Sequence, residues 1–419
     1  MKFRSIKGTK DVLPAESERW QAVENGIRTV MHVFNYREIR TPVFEETALF
    51  ARGIGELSDI VTKEMYSFED RGGTSVTLKP EMTASVIRAY VQHNLGELQP
   101  LTKLYYIAPM FRQERPQAGR LREFHQFGAE AIGGSQPAID AELIALSVEV
   151  FRKLGVENFE LRLNSVGCEK CRPAFKERLK TFLKKTLPGL SEESQRRLEQ
   201  NPLRILDSKD PRDLEATKNA PLTIDHLCGE CQTHFDALRM TLDVIGVSYL
   251  VDGRVVRGLD YYTRTAFEII SKELGSQDAL AGGGRYDLLV EELGGEQTPA
   301  VGFAAGIERL LMVLEKQEKP AGLGIHPRVF IAAADDQSRH RALQQASELR
   351  RNGIPCELDL LDRSLKAQMR EADRQHAEYA VVVGEREVRE NTFVVKNMKN
   401  GEETRIPISA ITTFFLNRT

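Results

Sequence analysis

The chain has 419 residues, of which 41% are hydrophobic and 28% are charged. This length is sufficient for two or three separate cores, so we expect a multidomain protein. The 58 lysine and arginine residues nearly balance the 61 aspartate and glutamate residues, which excludes a globally basic surface, and any nucleic-acid contact must come from local patches. No secretory signal and no run of roughly 18 apolar residues occurs, so we expect a cytosolic protein without membrane contact.

The order of sequence patterns indicates three domains. Helical patterns alternate with period-2 strands from residue 10 to about 161, which predicts an α+β domain on an antiparallel sheet. Charged helical sequence then follows, as in an inserted, mainly helical domain, before sheet-like sequence resumes at SYLVDGRVVRG. After a linker rich in proline and glycine, KQEKPAGLGIHP, a new alternation of strands and helices predicts a small α/β domain. The predicted boundaries are 1–163 with 247–322 for the main domain, 164–246 for the insertion and 328–419 for the last domain.

An arginine-rich hairpin is predicted at residues 104–134. On its second strand Phe124, Gln126 and Glu130 have the same parity, so they project from one face of the sheet. The connecting loop is rich in arginine, whose guanidinium group suits phosphate oxygens. The loop arginines are Arg112, Arg115, Arg120 and Arg122. The alternative interpretation is a solvated hairpin tip with surface ion pairs.

Two further stretches combine cations, aromatic rings and glycines. RVVRGLDYYTRTAFEI places Arg257 near Tyr261 and Tyr262, a combination that suits a charged substrate with a polar ring, although both tyrosines could equally pack the sheet with their hydroxyls at its rim. AGGGRYD permits close backbone approach, and Arg309 lies early in an amphipathic helix. The sequence contains neither a dinucleotide-binding G-x-G-x-x-G after a strand nor a P-loop, so neither of those nucleotide sites is supported.

Four of the five cysteines form two C-x-x-C pairs. In a reducing compartment this pattern indicates a metal site rather than disulfides. Four thiolates suit a closed, structural zinc site without an open position for substrate. The alternative is reduced cysteines packed as small hydrophobic residues. The predicted ligands, called the cysteine quartet below, are Cys168, Cys171, Cys228 and Cys231.

Five motifs carry a resemblance to a known family. TPVFEETALF, FRQERPQAGRLREFHQFGAE and GFAAGIERL resemble the three motifs of class II aminoacyl-tRNA synthetases, in that order. RGLDYYTRTAFE and AGGGRYD are similar to the two signatures of histidyl-tRNA synthetases, and with IKGTKDVLP and LKPEMTA the resemblance, of the bacterial type, covers nearly the whole chain. It implies a class II catalytic domain, an anticodon-binding domain, and a homodimer whose interface lies near Pro42. The implied activity is the ATP- and Mg²⁺-dependent attachment of histidine to tRNA(His).

The resemblance also implies roles for individual residues. Arg112 is similar to the arginine on the ATP α-phosphate, Arg309 to the one near the γ-phosphate, and Arg257 to the catalytic arginine that joins the substrate carboxylate and the α-phosphate. The remaining ATP-binding positions are Glu114, Arg120 and Phe124. The implied histidine-binding residues are Glu81, Thr83 and Gln126 at the α-amino group and Glu130 and Tyr262 at the imidazole, with Tyr261 as a further histidine-binding residue. Arg115 and Gln117 match positions that face the tRNA acceptor end.

Two residues depart from the family pattern. Lys79 stands where arginine is common, and Met82 stands where glycine is common and lets the backbone approach the amino acid. We expect the Met82 side chain to point away from the substrate. Two alternatives to a ligase are a catalytically inactive paralogue, such as the regulatory subunit of histidine biosynthesis, and a noncatalytic RNA-binding or histidine-sensing module. Both tolerate loss of the ATP arginines, and none is lost here.

Overall fold

The structure, a computed structural model, describes residues 3–55, 58, 60–117, 119–259, 261–275, 278–319 and 326–418, apart from the side chain of Gln200. It consists of two compact units, Met1–Leu323 and Gly324–Thr419, which are described separately. Part of the predicted linker, residues 320–325, lies outside the described residues. None of the helices in the described part is both long and apolar enough to cross a lipid bilayer.

The first unit contains eleven strands among its described residues. They are β1 (Arg37–Glu38), β2 (Phe44–Glu46), β3 (Tyr66–Glu69), β4 (Ser75–Leu78), β5 (Thr102–Phe111), β6 (Glu123–Ile132), β7 (Phe159–Ser165), β8 (Leu250–Val251), β9 (Thr263–Ser271), β10 (Ala279–Arg285) and β11 (Ala300–Gly306). Eight of them form one sheet in the order β1-β5-β6-β11-β10-β9-β7-β8, while β2, β4 and β3 form a small separate sheet. In the large sheet only β1 with β5 and β7 with β8 pair in parallel, so the predicted antiparallel sheet is confirmed.

The α-helices of the first unit lie mostly between these strands. They are α1 (Pro14–Val33), α2 (Thr47–Ile54), α3 (Thr83–Gln92), α4 (Leu95–Leu98), α5 (Pro137–Lys153), α6 (Arg172–Lys185), α7 (Glu192–Gln200), α8 (Leu203–Leu206), α9 (Pro211–Ala216), α10 (Gly229–Val244), α11 (Leu289–Glu292) and α12 (Ile307–Lys316). Proline occupies the first turn of α1 and of α5, where its fixed φ favours the helix and its missing N–H leaves no bond unmade.

Different groups of residues pack against the two faces of the large sheet. On β6, the odd-numbered Phe127 and Ala129 belong to the core that includes apolar residues of α1, α5, α10 and α12. The even-numbered Ile132 lies in a second cluster with Tyr261 and Tyr262. This alternation follows from the period-2 geometry of a strand, and it leaves the second face for the site described below.

The insertion is helical, as predicted, but it does not end in the expected strand. Its helices α6 to α9 enclose a small core around Phe175 and Leu179, while Leu238 of α10 joins the core of the large sheet. In SYLVDGRVVRG only β8 is a strand. The prediction of longer sheet sequence is wrong because Asp252 turns the chain, accepting a hydrogen bond from the Arg254 backbone N–H at 3.0 Å.

The second unit is an α/β domain, as predicted. Its strands are β12 (Val329–Ala333), β13 (Cys356–Leu358), β14 (Tyr379–Val383), β15 (Thr392–Asn397) and β16 (Glu403–Pro407), and its α-helices are α13 (Asp336–Arg351), α14 (Leu365–Arg374), α15 (Glu385–Arg389) and α16 (Ile411–Leu416). The sheet order is β13-β12-β14-β15-β16. Asp335 caps α13 by accepting the Ser338 backbone N–H at 2.8 Å, which satisfies a free donor at the helix start.

Candidate active site

A cleft of about 1130 Å³ opens on the second face of the large sheet. Its walls include side chains of β6, β10, β11, α12 and the insertion. The predicted residues that line it are Glu81, Thr83, Arg112, Glu114, Arg120, Phe124, Gln126, Arg257, Tyr261, Tyr262 and Arg309. The structure therefore brings residues from distant parts of the sequence to one concave surface, as binding sites usually require.

One end of the cleft combines guanidinium groups with an aromatic face. Arg112 lies over the Phe124 ring, with 5.4 Å between its guanidinium carbon and the ring centroid, and its Nε donates to the Pro80 carbonyl at 2.9 Å. Arg120 forms an ion pair with Glu114 at 3.4 Å. Burial lowers the pKa of Arg112, but arginine stays charged at any physiological pH. This end of the cleft suits a ligand with a planar base, which can stack on an aromatic ring, and an anionic group, which can bind to arginine.

Arg309 lies in the first turn of α12 and points into the same cleft. Its Nε donates to the Gly119 carbonyl at 3.3 Å, and a terminal nitrogen donates to the Ala279 carbonyl. Burial lowers the pKa of Arg309, and the like charge of Arg120 lowers it further. The partly buried charges of Arg309 and Arg120 lie close together, so this part of the cleft is favourable for phosphate.

Arg257 lies across the middle of the sheet. Its terminal nitrogen is 2.9 Å from a carboxylate oxygen of Glu268, and its Nε is buried without a hydrogen-bond partner among the described residues. A Cβ added at Gly282 would lie 1.9 Å from the guanidinium group. A side chain at position 282 would therefore displace the guanidinium group, which occupies that space. The unmatched Nε leaves a donor for a ligand.

Glu81, Thr83 and Gln126 supply polar groups to the wall of the cleft. The Glu81 carboxylate accepts the backbone N–H groups of Thr83 and Ala84, each at 2.8 Å, and so caps α3. Burial raises the pKa of Glu81, although these backbone hydrogen bonds lower it. The Oε1 of Gln126 is buried without a hydrogen-bond partner in the described part of the structure. An ammonium group would supply the missing donor.

Glu130 lies directly beneath the cleft and is fully buried. Its carboxyl group accepts hydrogen bonds from the Thr83 hydroxyl at 2.8 Å and from the Tyr286 hydroxyl. A Cβ added at Gly302, which lines the cleft, would lie 1.5 Å from Glu130 Oε2. Burial raises the pKa of Glu130 to about 8, against the opposing effect of these hydrogen bonds. A ligand N–H approaching this group would favour its ionised form.

Tyr261 and Tyr262 form an aromatic wall with Tyr286. The ring centroids of Tyr261 and Tyr262 are 4.7 Å apart, and those of Tyr261 and Tyr286 are 5.4 Å apart. Both predicted tyrosines are buried, belong to an apolar cluster and line the cleft. Packing and ligand contact, the two interpretations considered from the sequence, are therefore compatible.

Four other positions singled out in the sequence lie outside the cleft or only partly in its wall. Arg115 and Gln117 are exposed at the hairpin tip. Lys79 is buried, and this burial lowers the pKa of its ammonium group. Met82 belongs to the apolar cluster, with its sulfur 3.5 Å from the Thr41 hydroxyl, but it also contributes to the wall of the cleft. The expectation that Met82 points away is thus met only in part.

The insertion also contributes to the cleft, which is not evident from the sequence. Burial raises the pKa of Asp207 to about 6, although Arg204 and Arg257 oppose the shift. These charged side chains look like solvated helix faces in the sequence, and no local signal reveals that they face the sheet. The insertion residues in the wall include Arg196, Arg204, Asp207, Lys209 and Arg212.

The cysteine quartet forms a second candidate site. All four Sγ atoms lie within 4.8 Å of one another. Cys168 is 3.8 Å from Cys171 and 3.8 Å from Cys228, and Cys171 is 3.9 Å from Cys231. Zn–S bonds of about 2.3 Å in a tetrahedron give S–S edges of about 3.8 Å. The spacing of the sulfurs therefore fits a four-thiolate metal site.

Comparisons with known proteins agree with this geometry. A family model described as histidyl-tRNA synthetase matches residues 8–310, and one described as anticodon binding domain matches residues 328–418. The histidine–tRNA ligases of Desulforamulus reducens and Caldanaerobacter subterraneus are 48% and 51% identical, over 99% and 98% of this chain and 99% of each relative. The crystal structure of the apo histidyl-tRNA synthetase of S. aureus superimposes with a TM-score of 0.84, at 37% identity over 99% of both chains.

The antiparallel sheet, with its cleft, its helical insertion and a separate α/β unit, is the fold of class II aminoacyl-tRNA synthetases. Within that class the family model covers well over half of the chain, and the relatives match it at nearly full length. The chain belongs to the histidyl-tRNA synthetase family.

Proposed function

We propose that this protein is a histidine–tRNA ligase, which activates L-histidine with ATP and transfers it to tRNA(His). The observation that carries this proposal is the convergence of Arg112, Arg257 and Arg309 on one cleft, beside a polar pocket that contains unmatched hydrogen-bonding atoms. A histidine carboxylate oxygen attacks the α-phosphorus of ATP and pyrophosphate leaves. A ribose hydroxyl of the tRNA then attacks the carbonyl carbon of the adenylate, and AMP leaves.

The arginines supply fixed positive charge for the first step. In this proposal Arg112 holds the α-phosphate, Arg309 the γ-phosphate, and Arg257 joins the histidine carboxylate to the α-phosphate. Such preorganised charge stabilises the transition state without proton transfer. The adenine packs against Phe124 near Glu114, with Arg120 at the phosphates. ATP arrives with Mg²⁺, which usually binds phosphates and one or two carboxylates; Glu268 and Asp278 line the cleft.

The histidine is held by two groups of residues. Glu81, Thr83 and Gln126 bind the α-amino group, which supplies the donor that Gln126 Oε1 lacks. A neutral imidazole offers one N–H donor and one acceptor nitrogen, so the Glu130 carboxylate and the Tyr262 hydroxyl satisfy both; Tyr261 packs beside them. Arg115 and Gln117 are exposed and are free to meet the tRNA acceptor end, while the second unit binds the anticodon stem and loop.

The charging reaction tests this proposal. We expect the protein to transfer radiolabelled histidine to tRNA(His) in the presence of ATP and Mg²⁺. The inactive-paralogue alternative predicts tRNA binding without charging. Retention of all three cleft arginines and near full-length similarity to ligases favour the enzyme.

Glu130→Gln tests the imidazole pocket. The substituted side chain is a neutral amide that also donates, so the ligand N–H would lose a charged acceptor, a change of about 1.5–3 kcal/mol. We expect the KM for histidine in ATP–pyrophosphate exchange to rise about 10- to 100-fold while the KM for ATP stays nearly constant. Glu177→Gln, at an exposed position of α6, is the matched control. An unchanged KM for histidine in Glu130→Gln would contradict the assignment.

We also propose that the chain forms a homodimer through the segment around Pro42. Val43 and Phe44 are apolar but 42% and 55% exposed, and Pro42 lines a separate cavity of about 790 Å³. Exposed apolar residues beside a cavity are typical of a protein interface. Cross-linking or analytical ultracentrifugation measures the association, and a monomer at micromolar concentration would refute it.

The cysteine quartet is proposed to hold one structural Zn²⁺ through four thiolates. We expect about one zinc per chain in protein purified without added metal, because the sulfur spacing matches a ZnS₄ tetrahedron. Cys168→Ser should lose most of this zinc, since three ligands bind it far less tightly, whereas Cys356→Ser should keep it because Cys356 lies in the second unit. Metal analysis decides the matter: a zinc-free, fully active wild type would support cysteines packed as small hydrophobic residues.

A further inference from the structure

We propose that Arg172 is a positioning residue for Tyr262, and that the metal of the cysteine quartet holds Arg172 in place. This inference rests on the proposed function, because Tyr262 is there assigned to the imidazole of histidine. It gives the metal a defined effect on the amino-acid pocket, beyond stabilising the insertion.

Arg172 connects the first cysteine pair to the tyrosine. It follows Cys171 directly and begins α6. Its Nε donates to the Val166 carbonyl at 3.2 Å, and a terminal nitrogen donates to the Gly167 carbonyl at 3.1 Å and to the Tyr262 carbonyl. The planar guanidinium group can satisfy several acceptors at once, whereas an ammonium group lacks this fixed fork.

The backbone of the first cysteine loop is also tied to the strand that follows Tyr262. The Val166 N–H donates to the Arg264 carbonyl at 2.7 Å, and the Arg264 N–H donates to the Gly167 carbonyl at 2.8 Å. Arg264 has a φ of +50°, a conformation that is rare for a residue with a side chain. The loop before Cys168 and the segment after Tyr262 therefore hold each other in shape.

The second cysteine pair is fixed in the core of the first unit. Cys228 precedes α10 and Cys231 lies in its first turn. One turn further on, His234 Nε2 is 2.8 Å from a carboxylate oxygen of Asp140, which is fully buried and paired with Arg285. The start of α10 is therefore anchored in the core by buried polar contacts.

A metal bonded to all four sulfurs joins these two parts. It ties the loop that carries Arg172 to a helix that is held in the core. Without it, the sulfurs have only weak contacts with one another, and of the restraints described above the loop keeps only its backbone hydrogen bonds to Arg264. The Tyr262 carbonyl then loses a well-placed charged donor, and the Tyr262 ring shifts in the cleft.

The test compares Arg172→Met with Arg178→Met in the full-length protein. Met keeps an apolar stem but removes the guanidinium group, and Arg178 is exposed on the same helix. For Arg172→Met we expect the KM for histidine in ATP–pyrophosphate exchange to rise about tenfold, with the KM for ATP within about twofold and about one zinc per chain retained. Arg178→Met should match the wild type. Arg172→Lys, which keeps the charge without the fork, should show an intermediate KM for histidine and serves if Arg172→Met does not fold.

Removal of the metal from the wild type by a chelator is the second arm. It should reproduce the selective rise in the KM for histidine, and added Zn²⁺ should reverse it. An Arg172 variant with a normal KM for histidine, or an equal rise in both KM values, would overturn the positioning role, and so would a metal-free wild type with a normal KM. Failure of the wild type to catalyse any histidine-dependent exchange would instead refute the proposed function.

Discussion

Arg257→Ala should reduce the rate of histidyl-adenylate formation by about two or more orders of magnitude, as loss of a preorganised electrostatic stabiliser does. The guanidinium group lies over Gly282 and is oriented by Glu268 at 2.9 Å, so its charge is already in position before substrate binds. Histidine binding should weaken less than the rate, because the pocket around Gln126 stays intact. Single-turnover adenylate formation and calorimetric histidine binding separate the two effects.

Two further variants test the same role of Arg257. Arg257→Lys keeps the charge but not the planar fork and should give an intermediate rate. Gly282→Ala leaves Arg257 in the chain but occupies its space, so it should also slow adenylate formation. A near-normal rate of adenylate formation in Arg257→Ala would contradict the catalytic role proposed for this residue.

Asp140→Ala should lower the free energy of unfolding of the first unit by about 3–5 kcal/mol, the usual cost of removing one partner of a buried ion pair, since among the described residues the Arg285 charge then keeps only Asp287 as an ion-pair partner, at 3.0 Å. Asp140 and Arg285 are both fully buried and form an ion pair, and Asp140 also bonds His234 at 2.8 Å and the Thr265 hydroxyl at 2.5 Å. Burial raises the pKa of Asp140, but the charge of Arg285 and the hydrogen bonds with His234 and Arg285 outweigh it and lower this pKa, so the carboxylate stays ionised.

Urea unfolding followed by tryptophan fluorescence measures this effect. Trp20 is the single tryptophan of the chain and packs against the core of the first unit, so its signal reports on that unit alone. Glu16→Gln is the control: it breaks an ion pair with Lys10 whose side chains are 43% and 60% exposed, and such pairs contribute at most about 1 kcal/mol. Equal shifts in the two variants would show that the buried network is not a main support.

Local patterns predicted the main elements and one face of the site. The period-2 pattern of EFHQFGAEAI predicted a strand with Phe124, Gln126 and Glu130 on one face, and β6 has these bounds, with the odd-numbered residues in the opposite core. Side-chain parity depends only on the strand itself, which is why the sequence was sufficient here.

Contacts between distant segments could not be predicted in this way. Arg172 and Tyr262 are 90 residues apart, and Arg285 and Asp140 are 145 apart; their contacts depend on the order and register of the strands, which local periodicity does not determine. The position of Asp207 in the wall of the cleft also depends on contacts between distant segments. The glycines of AGGGRYD predicted close approach, but only the structure identifies Arg257 as the group that approaches Gly282.

Amino-acid-dependent ATP–pyrophosphate exchange, measured with each of the twenty amino acids, shows whether the cleft activates histidine. We expect exchange with histidine alone, because a neutral imidazole presents one N–H donor to Glu130 and one acceptor nitrogen to Tyr262 from a planar ring of fixed shape. No exchange with any amino acid, or preferential exchange with another one, would contradict the account.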